Sequence, residues 1–456
     1  TSVHRLGWTD RRCTGFVQSD GSVLGKGRFH FAAPSAADPR AKTDVSGTWQ
    51  EWRDNVAALC PGNSLLVASV SLAFSASLLE LLGLMGGGLH LRGSTTSGKS
   101  TILAAAASVS QAPQEMLSWS ATEQGLAAAA LRLNSKLLCL DELGEIDGKV
   151  LDVAIYQLAN GTGKLRSNSH GGAATPAQWH VAILSTGEIT VAEKLASARR
   201  RAMGGQEVRL IDVEADAKPY GAFSNLHGCK DRAEFGNRLN EASSRYYGAA
   251  GVEFVKKLAE RPSGSEDTIR RVLEMFENRL KAKLMQGDHV SATRVLRRFA
   301  LIATAGETAT RMGLTGWPSK HAIAAVEELF DDWLERTRSV GVRDGAEAVA
   351  RTRSFLSANT ARFNLLGVGK AEVAAGSCGW KDAGFYYVNH DTWHMIHGNG
   401  ANAAAQALAS AGLLELGDGA HLAKRMPGRC GARPRAYAVR AEILSDSASE
   451  HGSGAA

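Results

Sequence analysis

Cysteine is sparse in this 456-residue chain: Cys13, Cys60, Cys139, Cys229, Cys378 and Cys430 lie scattered along it. None has the short paired spacing of a zinc site, and their density is too low for a disulfide scaffold, so they read as free thiols of a reducing cytoplasm. A secretory signal is also lacking, because residues 1–20 carry charges and aromatics but no apolar core ahead of a small-residue cleavage site. The initiator Met is missing, as in a trimmed or partial chain. No run has the character of a membrane span. The most apolar stretch, residues 65–85, holds four serines and Glu80, which is the pattern of a buried helix. Charge of one sign is nearly balanced, with a net of +6, so a polyanion partner is argued only where basic residues cluster.

What the chain does contain is globular composition, 44% hydrophobic and 21% charged, with length for two or three domains. Its organising stretch is Gly93-Ser94-Thr95-Thr96-Ser97-Gly98-Lys99-Ser100, a full G-x-x-x-x-G-K-[ST] phosphate-binding loop. Leu89-His90-Leu91 before it reads as a buried strand, and residues 101–109 after it, beginning with Thr101, read as a packed helix. In such a loop backbone N–H groups cradle phosphates, Lys99 reaches the β and γ phosphates, and the Ser100 hydroxyl ligates magnesium. The expected ligands are ATP and Mg²⁺.

The second motif is Leu137-Leu138-Cys139-Leu140-Asp141-Glu142, four apolar residues closing on two acids. A buried parallel strand of this kind places Asp141 beside the Ser100-bound magnesium and lets Glu142 orient the attacking water. A further strand, residues 180–184, ends in Ser185-Thr186. If it lies between the other two, Ser185 or Thr186 senses the γ-phosphate; otherwise the strand simply ends in a polar turn. The triplet Gly86-Gly87-Gly88 is either a flexible connection or room for backbone close to a nucleotide.

Other segments are read by pattern. Thr48 and Glu51 have capping-box spacing for a helix reaching about Leu59. Between the strands lies an insert with Lys164 and Arg166 near its glycine turn, either a functional hairpin able to meet a nucleic-acid backbone or a solvated excursion. Arg199-Arg200-Arg201 is a solvated basic turn or an arginine source for a neighbouring site. Arg294, Arg297 and Arg298 share one face of a strongly helical segment, where one of them could touch the nucleotide. Residues 341–345 read as a linker. Beyond it, alternating helices and a late hairpin outline a winged helix. Lys424, Arg425, Arg429, Arg433, Arg435 and Arg440 lie between residues 419 and 440 without one acid, fit for DNA phosphates or, alternatively, for a protein partner.

Several motifs taken together carry a resemblance: Gly93 to Thr101, Trp119 with Thr122-Glu123-Gln124-Gly125-Leu126, Leu140-Asp141-Glu142-Leu143-Gly144, Leu158-Ala159-Asn160-Gly161-Thr162-Gly163-Lys164, Leu184-Ser185-Thr186-Gly187-Glu188, Gly205-Gln206-Glu207-Val208-Arg209-Leu210 and Gly313-Leu314-Thr315-Gly316-Trp317-Pro318. With these the chain resembles the domain-of-unknown-function 927 family of phages and mobile elements, related to minichromosome-maintenance-like AAA+ helicases. The resemblance implies a hexameric ATPase with ATP at subunit interfaces, Arg209 as a finger acting in trans, Arg294 as the second sensor, and Lys164 on a pore hairpin gripping DNA. It departs from that pattern at the N-terminus, where such helicases carry a larger domain.

The expected fold is α/β: a small β-containing segment (1–46), an AAA+ P-loop ATPase core (47–225), a helical lid (226–340), a C-terminal winged-helix domain (341–444) and a disordered tail (445–456). The expected function is an ATP-dependent DNA helicase or translocase of a phage or mobile element. It would be a cytoplasmic homo-oligomer with no membrane contact. The alternative is a nucleotide-gated DNA-binding regulator or loader that does not unwind.

Overall fold

The computed structural model describes residues 2–10, 12–25, 29–31, 45–164, 176–198, 204–260, 262–285, 288, 291–366, 376–426 and 434–445. Arg166, Arg199 to Arg201, Arg429, Arg433, Cys430 and the small-residue tail from 446 onward lie outside the described residues. The chain forms two compact units, Thr1–Leu334 and Glu335–Ala456.

The first unit is built on a five-stranded parallel sheet. Its strands are β1 (Gly87–Arg92), β2 (Leu117–Ser118), β3 (Leu137–Asp141), β4 (Ala182–Gly187) and β5 (Leu210–Glu214), in the order β5-β1-β4-β3-β2. All four pairings are parallel, and β1, β3 and β4 are buried almost throughout, which is why β3 reads as an apolar run closed by Asp141. The register sets Leu91 beside Thr186 and Leu140 beside Ser185.

The main helices of this unit are α1 (Ser64–Ser75), α2 (Lys99–Ala107), α3 (Glu123–Arg132), α4 (Gly148–Asn160), α5 (Val191–Ser197), α6 (Arg232–Arg245), α7 (Ala249–Glu260), α8 (Pro262–Lys281) and α9 (Ser291–Arg311). Every residue of α1 is buried, as its composition requires. Where α1 meets α9, a Cβ on Gly306 would fall 2.2 Å from Ser71 Oγ, so only glycine permits that approach. The expected single helix over 65–85 is broken: after α1 comes a separate short helix, Leu78–Leu82, closed by Gly83 in the left-handed region.

The described N-terminal residues fall within the first unit. Short strands Gly7–Trp8, Gly15–Val17 and Val23–Gly25 form an antiparallel sheet anchored by Trp8, which is fully buried and donates from Nε1 to Ser77 O at 2.8 Å. The Thr48–Glu51 capping box is present and starts the helix Trp49–Asn55.

Two expectations change here. Gly87 and Gly88 lie inside β1 at the end away from the phosphate-loop motif, not beside it. A Cβ on Gly88 would meet Ile183 O at 1.7 Å, so the glycines serve strand contact. The segment 341–345, expected as a linker, is helical, within the 39-residue helix α10 (His321–Asn359).

The second unit contains strands β6 (Phe363–Leu365), β7 (Gly379–Lys381), β8 (Phe385–Asn389), β9 (Leu414–Glu415), β10 (Lys424–Arg425) and β11 (Arg435–Arg440), with helices α11 (His390–His397) and α12 (Ala401–Ser410). The sheet order is β6-β7-β8-β11-β9, with β10 paired to β11. Its core includes Leu356, Val388, Trp393, Leu408 and Val439, and Trp393 stacks on Tyr437 with ring centroids 4.5 Å apart. Among the described residues no helix is long and apolar enough to cross a membrane.

Candidate nucleotide site

Because β1 and β3 flank β4 in a parallel sheet, their carboxyl ends meet at one edge, where open α/β sheets bind ligands. The loop 93–98 leaves β1 there and α2 begins at Lys99. Gly98 takes φ +108°, and a Cβ on it would strike Phe223 at 2.6 Å. Glycine is therefore required both by the turn and by its neighbour. Lys99 is buried, and its Nζ donates to Gly93 O at 2.8 Å and Ser94 O at 2.7 Å.

The acids approach from β3. Ser100 Oγ donates to Asp141 Oδ2 at 3.2 Å, so the two expected magnesium ligands are already neighbours. Thr186 Oγ1 donates to Asp141 Oδ1 and accepts from the Glu142 N–H at 3.2 Å. Glu142 sits at φ +59°, in the left-handed region that lifts it off the strand end. Loop, acids and part of α6 enclose a cavity of about 390 Å³, within the usual range for ligand pockets. Oxygen donors at Ser100 and Asp141 suit a magnesium ion.

Ser185 and Thr186 separate by strand alternation. Thr186 joins the acids, whereas Ser185 is fully buried, accepts from Trp119 Nε1 at 2.7 Å and lies 2.9 Å from His90 Nδ1. His90 is also fully buried, with Nε2 3.0 Å from Ile189 O, and burial pushes its pKa down to about 4. Its neutral form fits a chain in which Trp119 donates to Ser185, Ser185 to His90, and His90 to Ile189.

Three residues without a role assigned from sequence border the loop. Asp216 accepts the Ser94 N–H at 2.7 Å, and that hydrogen bond lowers its carboxyl pKa. Glu188, just past β4, accepts from the Thr95 hydroxyl. Arg232 lines the cavity from α6. Glu188 and Asp216 sit just beyond strand ends, a position the pattern could have flagged. The place of Arg232 depends on long-range packing.

Arg209 and Arg294 are elsewhere. Together with Arg297 and Arg298 they line a cavity of about 550 Å³ at the starting ends of β1 and β5, where Leu210 pairs with Gly88. The length of β1 separates them from the loop, roughly 13 Å or more at the rise of a strand. Arg209 lies 4.5 Å over the Tyr156 ring and donates to Gly205 O at 2.7 Å. Arg298 donates to Met85 O at 3.0 Å; burial first, and then the charge of Arg209, lower its pKa to about 10.

Lys164 follows an antiparallel bridge between Thr162 and Gln178. Gly163 N–H donates to Ala177 O and Trp179 N–H to Gly161 O, both at 2.9 Å. Lys164 is itself paired with Glu123 at 2.7 Å. In the second unit Lys424, Arg425 and Arg435 lie on the β10–β11 pair, and Lys424 reaches Glu415 at 2.5 Å.

Comparison with known proteins agrees with this architecture. No curated protein sequence matches the chain. A solved structure described as SCCmec type IV Cch, an active helicase, superposes with a TM-score of 0.65 at 20% identity, covering 97% of this chain and 80% of that one, which establishes a shared fold. Residues 1–178 match the family model described as domain of unknown function DUF927.

Proposed function

We propose that the chain is an ATP-dependent DNA helicase or translocase of a mobile genetic element or phage, with an AAA+ core and a winged-helix end, working as a ring. The observation that carries the reading is the convergence of Lys99, Ser100, Asp141 and Glu142 on one cavity at the carboxyl edge of the sheet, with Thr186 bonded to both acids. Lys99 holds the β and γ phosphates, Ser100 and Asp141 hold magnesium, Glu142 orients the water, and Thr186 fixes both acids. Bound there, magnesium would neutralise charge developing between the β and γ phosphates. The backbone of Gly93, Ser94, Thr95, Thr96, Ser97, Gly98 and Thr101 frames the phosphates.

Arg209 and Arg294 support the ring. They face a cavity that cannot reach the chain's own loop, so a finger at Arg209 and a sensor at Arg294 act on the nucleotide of a second copy. The helicase similarity at 20% identity and the position of Lys164 beside the bridged segments 161–163 and 177–179 support strand movement. The test is magnesium-dependent ATP hydrolysis by the purified chain, together with its oligomeric state in the presence of a non-hydrolysable ATP analogue. Hydrolysis by an ATP-stabilised oligomer is expected; turnover by a monomer would refute the shared site.

A second reading, a nucleotide-gated DNA-binding regulator that does not unwind, is favoured by one observation. Lys164 and Lys424 are each already paired with an acid, which reduces the free charge offered to a strand. Unwinding of a forked duplex separates the two.

A further inference from the structure

The proposed nucleotide cavity has an electrostatic deficit that the phosphate-loop motif does not remedy. Its lining includes three carboxylates, Asp141, Glu142 and Glu188. Lys99 is folded back onto the carbonyls of Gly93 and Ser94. A nucleoside triphosphate brings about four further negative charges. Among the described residues lining the cavity, the one other lysine or arginine is Arg232.

Arg232 opens α6, whose residues 232, 233, 236, 237 and 240 all line the cavity. That spacing is one face of a helix, so α6 forms a continuous wall opposite the acids. Arg232 is half-buried as a residue, and no carboxylate among the described residues pairs with it. The turn in front of it lies against its guanidinium. Gly221 has φ +75°, and a Cβ there would lie 2.6 Å from both Arg232 Nη1 and Ser97 O. The guanidinium therefore stands against the middle of the phosphate loop. Ala222 N–H donates to Ser97 O at 2.8 Å, tying the same turn to the loop.

Resting on the nucleotide reading above, we infer that Arg232 is a second phosphate-binding cation, supplied in cis by α6. It grips the phosphates of the chain's own nucleotide while Arg209 and Arg294 face another copy. An arginine fork suits phosphate oxygens better than a lysine point charge, so charge alone would restore only part of its effect.

The test measures ADP and ATP binding, and its salt dependence, for the wild type, Arg232→Gln, Arg232→Lys and Arg238→Gln, the last on α6 away from the cavity. Arg232→Gln is expected to weaken ADP and ATP by about tenfold and to flatten the salt dependence. Arg232→Lys should fall between, and Arg238→Gln should match the wild type. A role confined to holding the Gly221 turn would leave the salt dependence unchanged and would appear as a lower melting temperature without nucleotide. Either that pattern or unaltered binding by Arg232→Gln overturns the inference while leaving the nucleotide site standing. Failure of the wild type to bind ADP or ATP would overturn the nucleotide reading, and this inference with it.

Discussion

The Ser100 hydroxyl and the Asp141 carboxylate meet at 3.2 Å although 41 positions separate them. This contact joins the start of α2 to the end of β3, and it holds because β4 sits between β1 and β3 with Thr186 bonded to the same carboxylate.

Replacing members of this cluster should separate binding from chemistry. Lys99→Ala removes the ammonium proposed to hold the phosphates and should cripple nucleotide binding or turnover. Glu142→Gln keeps shape and hydrogen-bonding capacity but not the base, so ATP binding should persist while hydrolysis falls by at least about 10²-fold. Equilibrium binding and steady-state turnover check both. Normal hydrolysis by Glu142→Gln would remove that residue from its role.

The arginine cavity yields a complementation result. Arg209→Ala and Glu142→Gln subunits should each be inactive alone, yet mixed rings should recover part of the ATPase activity, since some interfaces then contain an intact glutamate facing an intact arginine. Demonstrably mixed oligomers without recovery would exclude a trans role for Arg209.

Acid should destabilise the first unit through His90. The fold holds this imidazole neutral with a pKa of about 4 against an ordinary 6.5, so the unfolded chain takes the proton first as pH falls. Stability from this residue is complete above pH 6.5 and is lost progressively towards pH 4, by up to about 3 kcal/mol across the window. Melting curves at pH 7 and pH 5 should show the drop, and His90→Asn should show a smaller one. In the second unit burial likewise pushes His397 to about 4, so its transition moves in the same direction.

Two glycines of the first unit should respond differently to alanine. At Gly88 the new Cβ meets a backbone carbonyl at 1.7 Å, and only movement of β4 relieves it; a loss of more than about 3 kcal/mol is expected. At Gly83 nothing lies within 4 Å and only φ +64° opposes the change, a cost of about 1 kcal/mol. Denaturant midpoints compare them.

The local chemistry was legible because it is written in contiguous residues: the loop 93–100, the apolar run into Asp141 and Glu142, and the Thr48–Glu51 cap. The choice between Ser185 and Thr186 was not, because adjacent strand residues point to opposite faces and only the register shows which face meets Asp141. Gly86 to Gly88 misled because glycine signals close approach without naming the neighbour, here the β4 backbone. The glycines of 341–345 did not break α10: each weakens a helix by only about 1 kcal/mol, which the flanking turns offset. Arg232 and the α6 wall were invisible because nothing near them in sequence resembles a nucleotide motif.

Strand movement driven by ATP is tested by ATP hydrolysis by wild type and Lys164→Ala, with and without single-stranded DNA, beside unwinding of a forked duplex. The wild type should show strand-stimulated turnover and unwinding, with Lys164→Ala keeping basal hydrolysis and losing both stimulation and unwinding. Hydrolysis indifferent to DNA, with no unwinding, would contradict strand movement and leave the nucleotide-gated regulator.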